Sequence, residues 1–340
     1  MRSQRRAVLL LGCISTTAAA FVTGQFARKP AEMGRSWVRM GKKDKKSSFE
    51  AYQISGESAS ELFPLPDQRD AIHVHKKHMP KGCSPSKAPP GSFDAFMPSV
   101  DLQYPGARLV HLDPPVLCID GFFTDEECDA YQAVRDSEGD AHCLEQSATF
   151  SSSSMSTRTS TTWFLRYQAV PAFLAKASAL TGMPLSHFEE PQLVRYQQGQ
   201  CFSWHYDAVP ATQLKRGGQR RATLLVYLND VPKGGHTAFR DLRQGGTDDN
   251  GSPLRLSVEP KRGRALLFFP SFADGTPDWR TLHAGEPGPH EKWIGQLWLH
   301  HEPYPPLVPD GTSHEAAEPM VREFASKHGL RQQAEAPAPT

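Results

Sequence analysis

QLVRYQQGQCFSWHYD, residues 192–207, holds two short runs rich in β-branched and aromatic side chains, 192–196 and 202–207, parted by a glycine-containing turn. Residues two apart on a strand project from one face, so His205 and Asp207 can offer an imidazole and a carboxylate to a single ion. Further runs of the same texture follow at 223–228, 265–269 and 293–300, and one precedes at 116–119. Between the first run and the rest, Thr124 with Glu127 forms a capping box that opens a helix. Residues 169–180 set Val170, Phe173, Leu174 and Ala177 on one helical face, ending at Gly182. Two helices followed by many short strands predict a mainly β fold with flanking helices, an antiparallel sandwich or barrel. The segments 208–220 and 240–258 read as long loops, either lids over a site or surface insertions.

The chain has 340 residues, with 38 Lys+Arg against 37 Asp+Glu, and this balance argues against a protein that tracks phosphates. The strand region carries no basic stripe, so no nucleic-acid partner is expected. The charge is unevenly spread: residues 1–48 carry 11 Lys/Arg against only Glu32 and Asp44. Arg2, Arg5 and Arg6 precede an uncharged stretch through residue 27, with Val8-Leu9-Leu10-Leu11 and then Ala18-Ala19-Ala20, the order of a secretory signal. Residues 1–27 are expected to be a signal peptide or a membrane anchor, giving entry into the secretory pathway, the endoplasmic reticulum or beyond. Phe21 after the alanines, followed by a basic stretch through Lys46, also resembles bipartite plastid presequences.

Residues 28–108 read as a basic and then Pro-rich linker, largely disordered, with order expected over 109–302 and a tail at 303–340. That tail is expected to be dispensable apart from a short helix near 314–328. The linker's His73-Val74-His75-Lys76-Lys77-His78 cluster lacks interleaved carboxylates and is read as linker rather than a metal site. Six cysteines contain no CxxC pair, which removes support for a zinc ribbon or a dithiol redox site, while one or two disulfides would suit an oxidising lumen. No motif specifies an oligomeric state.

A His-x-Asp pair means little alone, and His111-Leu112-Asp113, running into Pro114-Pro115, repeats it by accident. His205 and Asp207 are distinguished by what accompanies them. Downstream stand Arg221 to Asp230, Gly234-Gly235-His236-Thr237, Pro260 and Gly263, His283-Ala284-Gly285, Lys292-Trp293 and Trp298; upstream stand Cys118 to Cys128 and Arg158-Thr159-Ser160 with Trp163. In this order, over roughly 113–301, the set resembles the prolyl 4-hydroxylase alpha-subunit-like iron(II)/2-oxoglutarate-dependent dioxygenases.

The resemblance implies a double-stranded β-helix, the jelly-roll or cupin-like core, with His205, Asp207 and His283 as iron(II) ligands. Two imidazoles and one carboxylate on one face of the ion leave adjacent positions for a bidentate 2-oxo acid and dioxygen. It further implies Lys292 as the cation for the cosubstrate's far carboxylate, with hydroxyls of Tyr196 and Thr223 completing the anion site. Family members commonly place that lysine ten residues after the distal histidine; here the interval is nine. Arg280 is the alternative cation. Where the family reads Gly-Gly-Glu-Thr this chain has His236, a third histidine near the iron or a surface group in a turn. Trp293 and Trp298 are expected in the core, whereas Arg195, Trp204 and Tyr206 suit either face.

By the same resemblance, 2-oxoglutarate is decarboxylated to succinate while a C–H bond is hydroxylated, with L-ascorbate as rescue reductant. The expected substrate is a peptidyl proline in an extended Pro-rich protein or peptide. Another protein side chain or a small molecule is the alternative substrate, and a catalytically silent binding module of the same fold is the alternative to an enzyme.

Overall fold

The computed structural model describes residues 93–137, 141–144, 158–306 and 313–331. The expected signal or anchor, most of the linker and its histidine cluster lie outside the described residues. In chain order the elements are β1 (Ala107–Leu112), β2 (Pro115–Ile119), α1 (Asp125–Ala133), β3 (Ala141–Leu144), β4 (Thr161–Leu165), α2 (Pro171–Thr181), β5 (Gln192–Tyr196), β6 (Phe202–His205), β7 (Arg220–Tyr227), β8 (Thr237–Thr247), β9 (Pro253–Val258), β10 (Ala265–Phe268), β11 (His283–Gly285), β12 (Lys292–His300) and α3 (His314–Lys327). An eight-stranded sheet runs β1-β2-β10-β7-β12-β5-β4-β3 and a four-stranded sheet runs β6-β11-β8-β9. All pairings within them are antiparallel.

The alternation along the central strands explains why there are two cores. On β7, Leu224 and Val226 join a cluster with Phe173, Leu174 and Leu180 of α2, while Leu225 and Tyr227 join a second cluster with Phe239 of β8 and Leu256 of β9. β12 repeats the pattern, with Trp293, Leu297 and Leu299 toward the helices and Ile294 toward the small sheet. A strand buried on both faces reads as a continuous apolar run, and all nine β12 residues are buried. The large sheet is thus a middle layer, helices on one side and the small sheet on the other, which is the jelly-roll expected.

The helical expectations hold at their ends. Thr124 and Glu127 make both halves of the capping box at the start of α1. Pro171 opens α2, and Gly182 closes it with φ of 66°, a left-handed cap that glycine adopts without a Cβ penalty.

Two expectations need correction. Phe93, Phe96, Met97 and Val100, assigned to the linker, are buried in the helix-side core, and Phe96 stacks on Phe272 with centroids 5.1 Å apart. The packed domain therefore includes residues well before 109. The expected loop 240–258 is mostly the β8–β9 hairpin, because Leu242 and Leu256 turn inward into the core while Asp248 closes the turn with bonds to the Asn250 and Ser252 amides. The helix expected near 314–328 is present as α3, which places Ala317, Val321 and Ala325 in the core, and its His314 bonds the Phe188 carbonyl at 2.9 Å. Cys118, Cys128 and Cys201 are buried free thiols, and the other three cysteines lie outside the residues whose side chains are described. Among the described residues no helix is long and apolar enough to cross a membrane.

Candidate active site

The inward faces of the two sheets meet where β6, β11, β7 and β12 run together. His283 on β11 pairs directly with His205 on β6. Register thus sets two imidazoles side by side, with ring centroids 4.1 Å apart. Asp207 lies two residues past His205, just beyond the end of the strand. Strand alternation is consequently not what aims its carboxylate. The Thr223 hydroxyl donates to Asp207 Oδ2 at 2.7 Å, and Arg220 Nη1 donates to its main-chain carbonyl at 3.3 Å. His205 Nε2 is 3.5 Å from Asp207 Oδ1 and His283 Nε2 is 3.7 Å from Oδ2. One donor atom from each of the three residues falls within 4.8 Å of the others, and among the described residues no second His/Cys/Asp/Glu group with such spacing occurs.

These residues suit a divalent metal by an observation independent of spacing. His205 Nδ1 lies 2.8 Å from the Ser203 carbonyl and His283 Nδ1 lies 2.9 Å from the Thr281 carbonyl. A carbonyl only accepts, so each Nδ1 carries the proton and each Nε2 turns a lone pair toward Asp207. This is how ligating histidines are usually held, the outer hydrogen bond fixing the tautomer. Burial, and next the neighbouring His283, push the His205 imidazole down to about 3, so it is neutral. Burial alone would raise the Asp207 carboxyl, but His283, His205, Arg220 and Thr223 together bring it down to about 2, so it is ionised. Two imidazoles held through Nδ1 and one carboxylate are hard-to-borderline donors appropriate to iron(II).

Lys292 and Tyr196 sit beside this cluster. A Cβ built on Gly285, two residues along β11 from His283, would lie 3.5 Å from the Tyr196 hydroxyl and 3.7 Å from Lys292 Nζ. The missing side chain leaves a space bounded by the ammonium and the phenol. Lys292 Nζ stands 4.4 Å from the centre of the Tyr196 ring and donates to the Gly235 carbonyl at 2.8 Å. Burial lowers its pKa to about 8 against the opposing effect of Glu286 and Cys201. The nine-residue interval is therefore compatible with a lysine delivered to the space beside Gly285. Arg280, the alternative cation, is bound to Asp278 and Asp113. Thr223 departs from expectation: its hydroxyl proton is committed to Asp207 rather than to a cosubstrate.

The remaining sequence landmarks separate cleanly. His111 is on β1 with its Nδ1 on the Pro114 carbonyl, outside the cluster. His236 is also outside it, 3.1 Å from Glu286. Trp293 stacks on Trp163, Trp298 packs against the Arg220 guanidinium, Trp204 covers Ala284, and Tyr206 makes an edge contact with Trp279. Arg158 carried no role in the sequence reading, yet its buried guanidinium bonds Ser160 and Thr162 and lies over Phe202, which stacks on His205. Its sequence signal was its place in the Arg158-Thr159-Ser160 landmark of the resemblance.

A jelly roll with a His, Asp and His cluster beside a buried lysine defines a metal- and oxo-acid-dependent oxygenase. The family model of the 2OG-Fe(II) oxygenase superfamily matches residues 191–300. Prolyl 4-hydroxylase 2 of Arabidopsis thaliana is 31% identical over 217 residues, covering 60% of this chain and 73% of the relative. Probable prolyl 4-hydroxylase 6 of the same plant is 35% identical over 205 residues, covering 55% and 69%. Among solved structures, the viral collagen prolyl hydroxylase of Paramecium bursaria Chlorella virus-1 in complex with 2OG aligns with 25% identity and a TM-score of 0.41, over 54% of this chain and 94% of that one. The chain belongs to the prolyl 4-hydroxylase family of iron(II)- and 2-oxoglutarate-dependent dioxygenases.

Proposed function

We propose that the chain hydroxylates a prolyl residue in an extended, Pro-rich protein or peptide, using His205, Asp207 and His283 to hold iron(II) and Lys292 to hold 2-oxoglutarate. The observation that carries this is the convergence of two Nε2 lone pairs and a carboxylate within 4.8 Å. When bound, iron(II) with dioxygen and 2-oxoglutarate supplies the oxidising power: the oxo acid leaves as succinate and carbon dioxide, one oxygen atom going to succinate and the other to the substrate C–H bond.

The chain's own residues do the rest. Ser203 and Thr281 carbonyls fix the two imidazoles, and Thr223 keeps the Asp207 carboxylate turned toward them. Lys292 supplies positive charge to the cosubstrate's distal carboxylate, and the Tyr196 hydroxyl, facing the same space, offers a further donor. The buried inter-sheet residues Ile294, Leu225 and Phe239 give the groups beside them an apolar, water-excluding surround. L-Ascorbate as rescue reductant and entry into the secretory pathway through residues 1–27 are parts of the same proposal, supported by the family and by the order of basic, apolar and small residues.

The test is incubation with iron(II), 2-oxoglutarate and a panel of Pro-rich peptides and free proline, following succinate release and a product heavier by one oxygen. Proline-peptide turnover supports the proposal; tight peptide binding without succinate release would make the chain a silent binding module. Lys292→Ala removes a charged hydrogen-bond donor, so the apparent affinity for 2-oxoglutarate is expected to fall about 10- to 100-fold. Arg280→Ala leaves that affinity unchanged, and reversed results would transfer the cation's role to Arg280.

A further inference from the structure

The turn that shortens the His283–Lys292 interval holds a buried carboxylate which the reaction does not use. Glu286 receives Arg255 Nη2 at 2.7 Å on one oxygen and faces His236 Nδ1 at 3.1 Å on the other. The backbone repeats the connection: Glu286 N donates to the His236 carbonyl at 2.8 Å and Gly235 N to the Pro287 carbonyl at 3.2 Å. The turn at 234–236 is thereby fastened to the turn at 286–288. The Gly235 carbonyl, fixed by this fastening, is the acceptor of Lys292 Nζ at 2.8 Å. The charged and titratable groups facing Lys292 are Glu286, Tyr196 and Cys201; those facing Glu286 are Arg255, His236 and Lys292.

We propose that Glu286, clamped between Arg255 and His236, is a positioning residue for the cosubstrate cation: it fixes the carbonyl that orients Lys292 and places a negative charge on the same side of the site as the buried ammonium. The inference rests on the reading of Lys292 as the 2-oxoglutarate cation. It assigns His236, which stands where the family has glutamate, to the outer clamp rather than to the metal. The electrostatic direction agrees: burial lowers the Lys292 pKa to about 8, and Glu286 opposes that fall. Affinity for a dicarboxylate should therefore decline as pH rises through that region, and earlier once the carboxylate is gone.

The experiment is calorimetric titration of 2-oxoglutarate into the manganese(II)-loaded protein at about pH 6.5 and about pH 8.5, with thermal unfolding as the check on fold. Glu286→Gln is expected to bind about tenfold more weakly than the unaltered protein near pH 8.5 but only about threefold more weakly near pH 6.5. His236→Ala, on the more exposed side of the clamp, is expected to lose about threefold at both pH values, since the carboxylate and Arg255 remain. It decides the positioning role if Glu286→Gln does not fold. Affinities within twofold of the unaltered protein in both variants would overturn the proposal, and an equal loss at both pH values in Glu286→Gln would overturn its electrostatic half. Lys292→Ala is the arm that separates the two levels. Undiminished binding there sinks the reading of Lys292 itself, whereas lost binding there with unchanged Glu286 and His236 variants sinks only this inference.

Discussion

His205→Ala and Asp207→Ala each lose iron retention and turnover while the domain keeps its fold. Each removes one of three donors from a cluster that has no spare among the described residues. Outer hydrogen-bond partners of a metal already change affinity or activity by roughly 10- to 100-fold, so loss of a direct ligand should cost at least about 100-fold in turnover. The fold survives because His205 ends a strand whose pairing is made by backbone groups, and because Asp207 is a buried charge whose removal also removes its desolvation cost. His111→Ala, with the same His-x-Asp sequence context, changes neither quantity, since His111 bonds only its local Pro114 carbonyl. Iron content by elemental analysis, succinate release and far-ultraviolet circular dichroism check the three claims together. Equal losses at His111, or full activity in His205→Ala, would show that the metal is held elsewhere.

A chain ending at residue 312 is expected to be strongly destabilised. It loses α3, whose Ala317, Val321 and Ala325 are buried in the helix-side core, together with the His314 ring 4.3 Å from the Tyr167 ring. It also uncovers the α2 surface beneath. Burying one valine, two alanine methyls and the facing apolar surface amounts to about 5 kcal/mol. For a domain of this size that lowers the unfolding midpoint by roughly 10 °C or more. Removing only residues 332–340 should leave the midpoint unchanged. A thermal melt of the two truncations decides it, and equal midpoints would mean that α3 contributes nothing to the core.

The site was legible because its chemistry is written in residue type and order. His205, Asp207 and His283 appear with their flanking landmarks, and Lys292 follows at nearly the usual interval. The short strands and the two early helices were legible for a similar reason: alternation, a capping box and a terminal glycine are local signals. The burial of the segment at 93–100 and of α3, a helix expected near 314–328, was not legible because it has no local signature. Phe93, Phe96, Met97 and Val100 stand among Pro, Ser and Gly without a period, and the α3 stripe is mostly alanine, apolar enough to be buried only when a partner helix lies close.

By itself the sequence determined most strand and helix types and the resemblance to a family, and through that resemblance it pointed to the His205, Asp207 and His283 trio, since residue type and order along the chain are one-dimensional facts. Only the tertiary structure decided what each polar group is spent on. It turned the Thr223 hydroxyl to Asp207, sent His236 to Glu286, tied Arg280 to Asp278 and Asp113, and brought Glu286 to the turn that orients Lys292. Such partners are tens of residues apart in most cases, and hydrogen bonds reach only about 3 Å, so the pairing exists only once the two sheets have closed on each other.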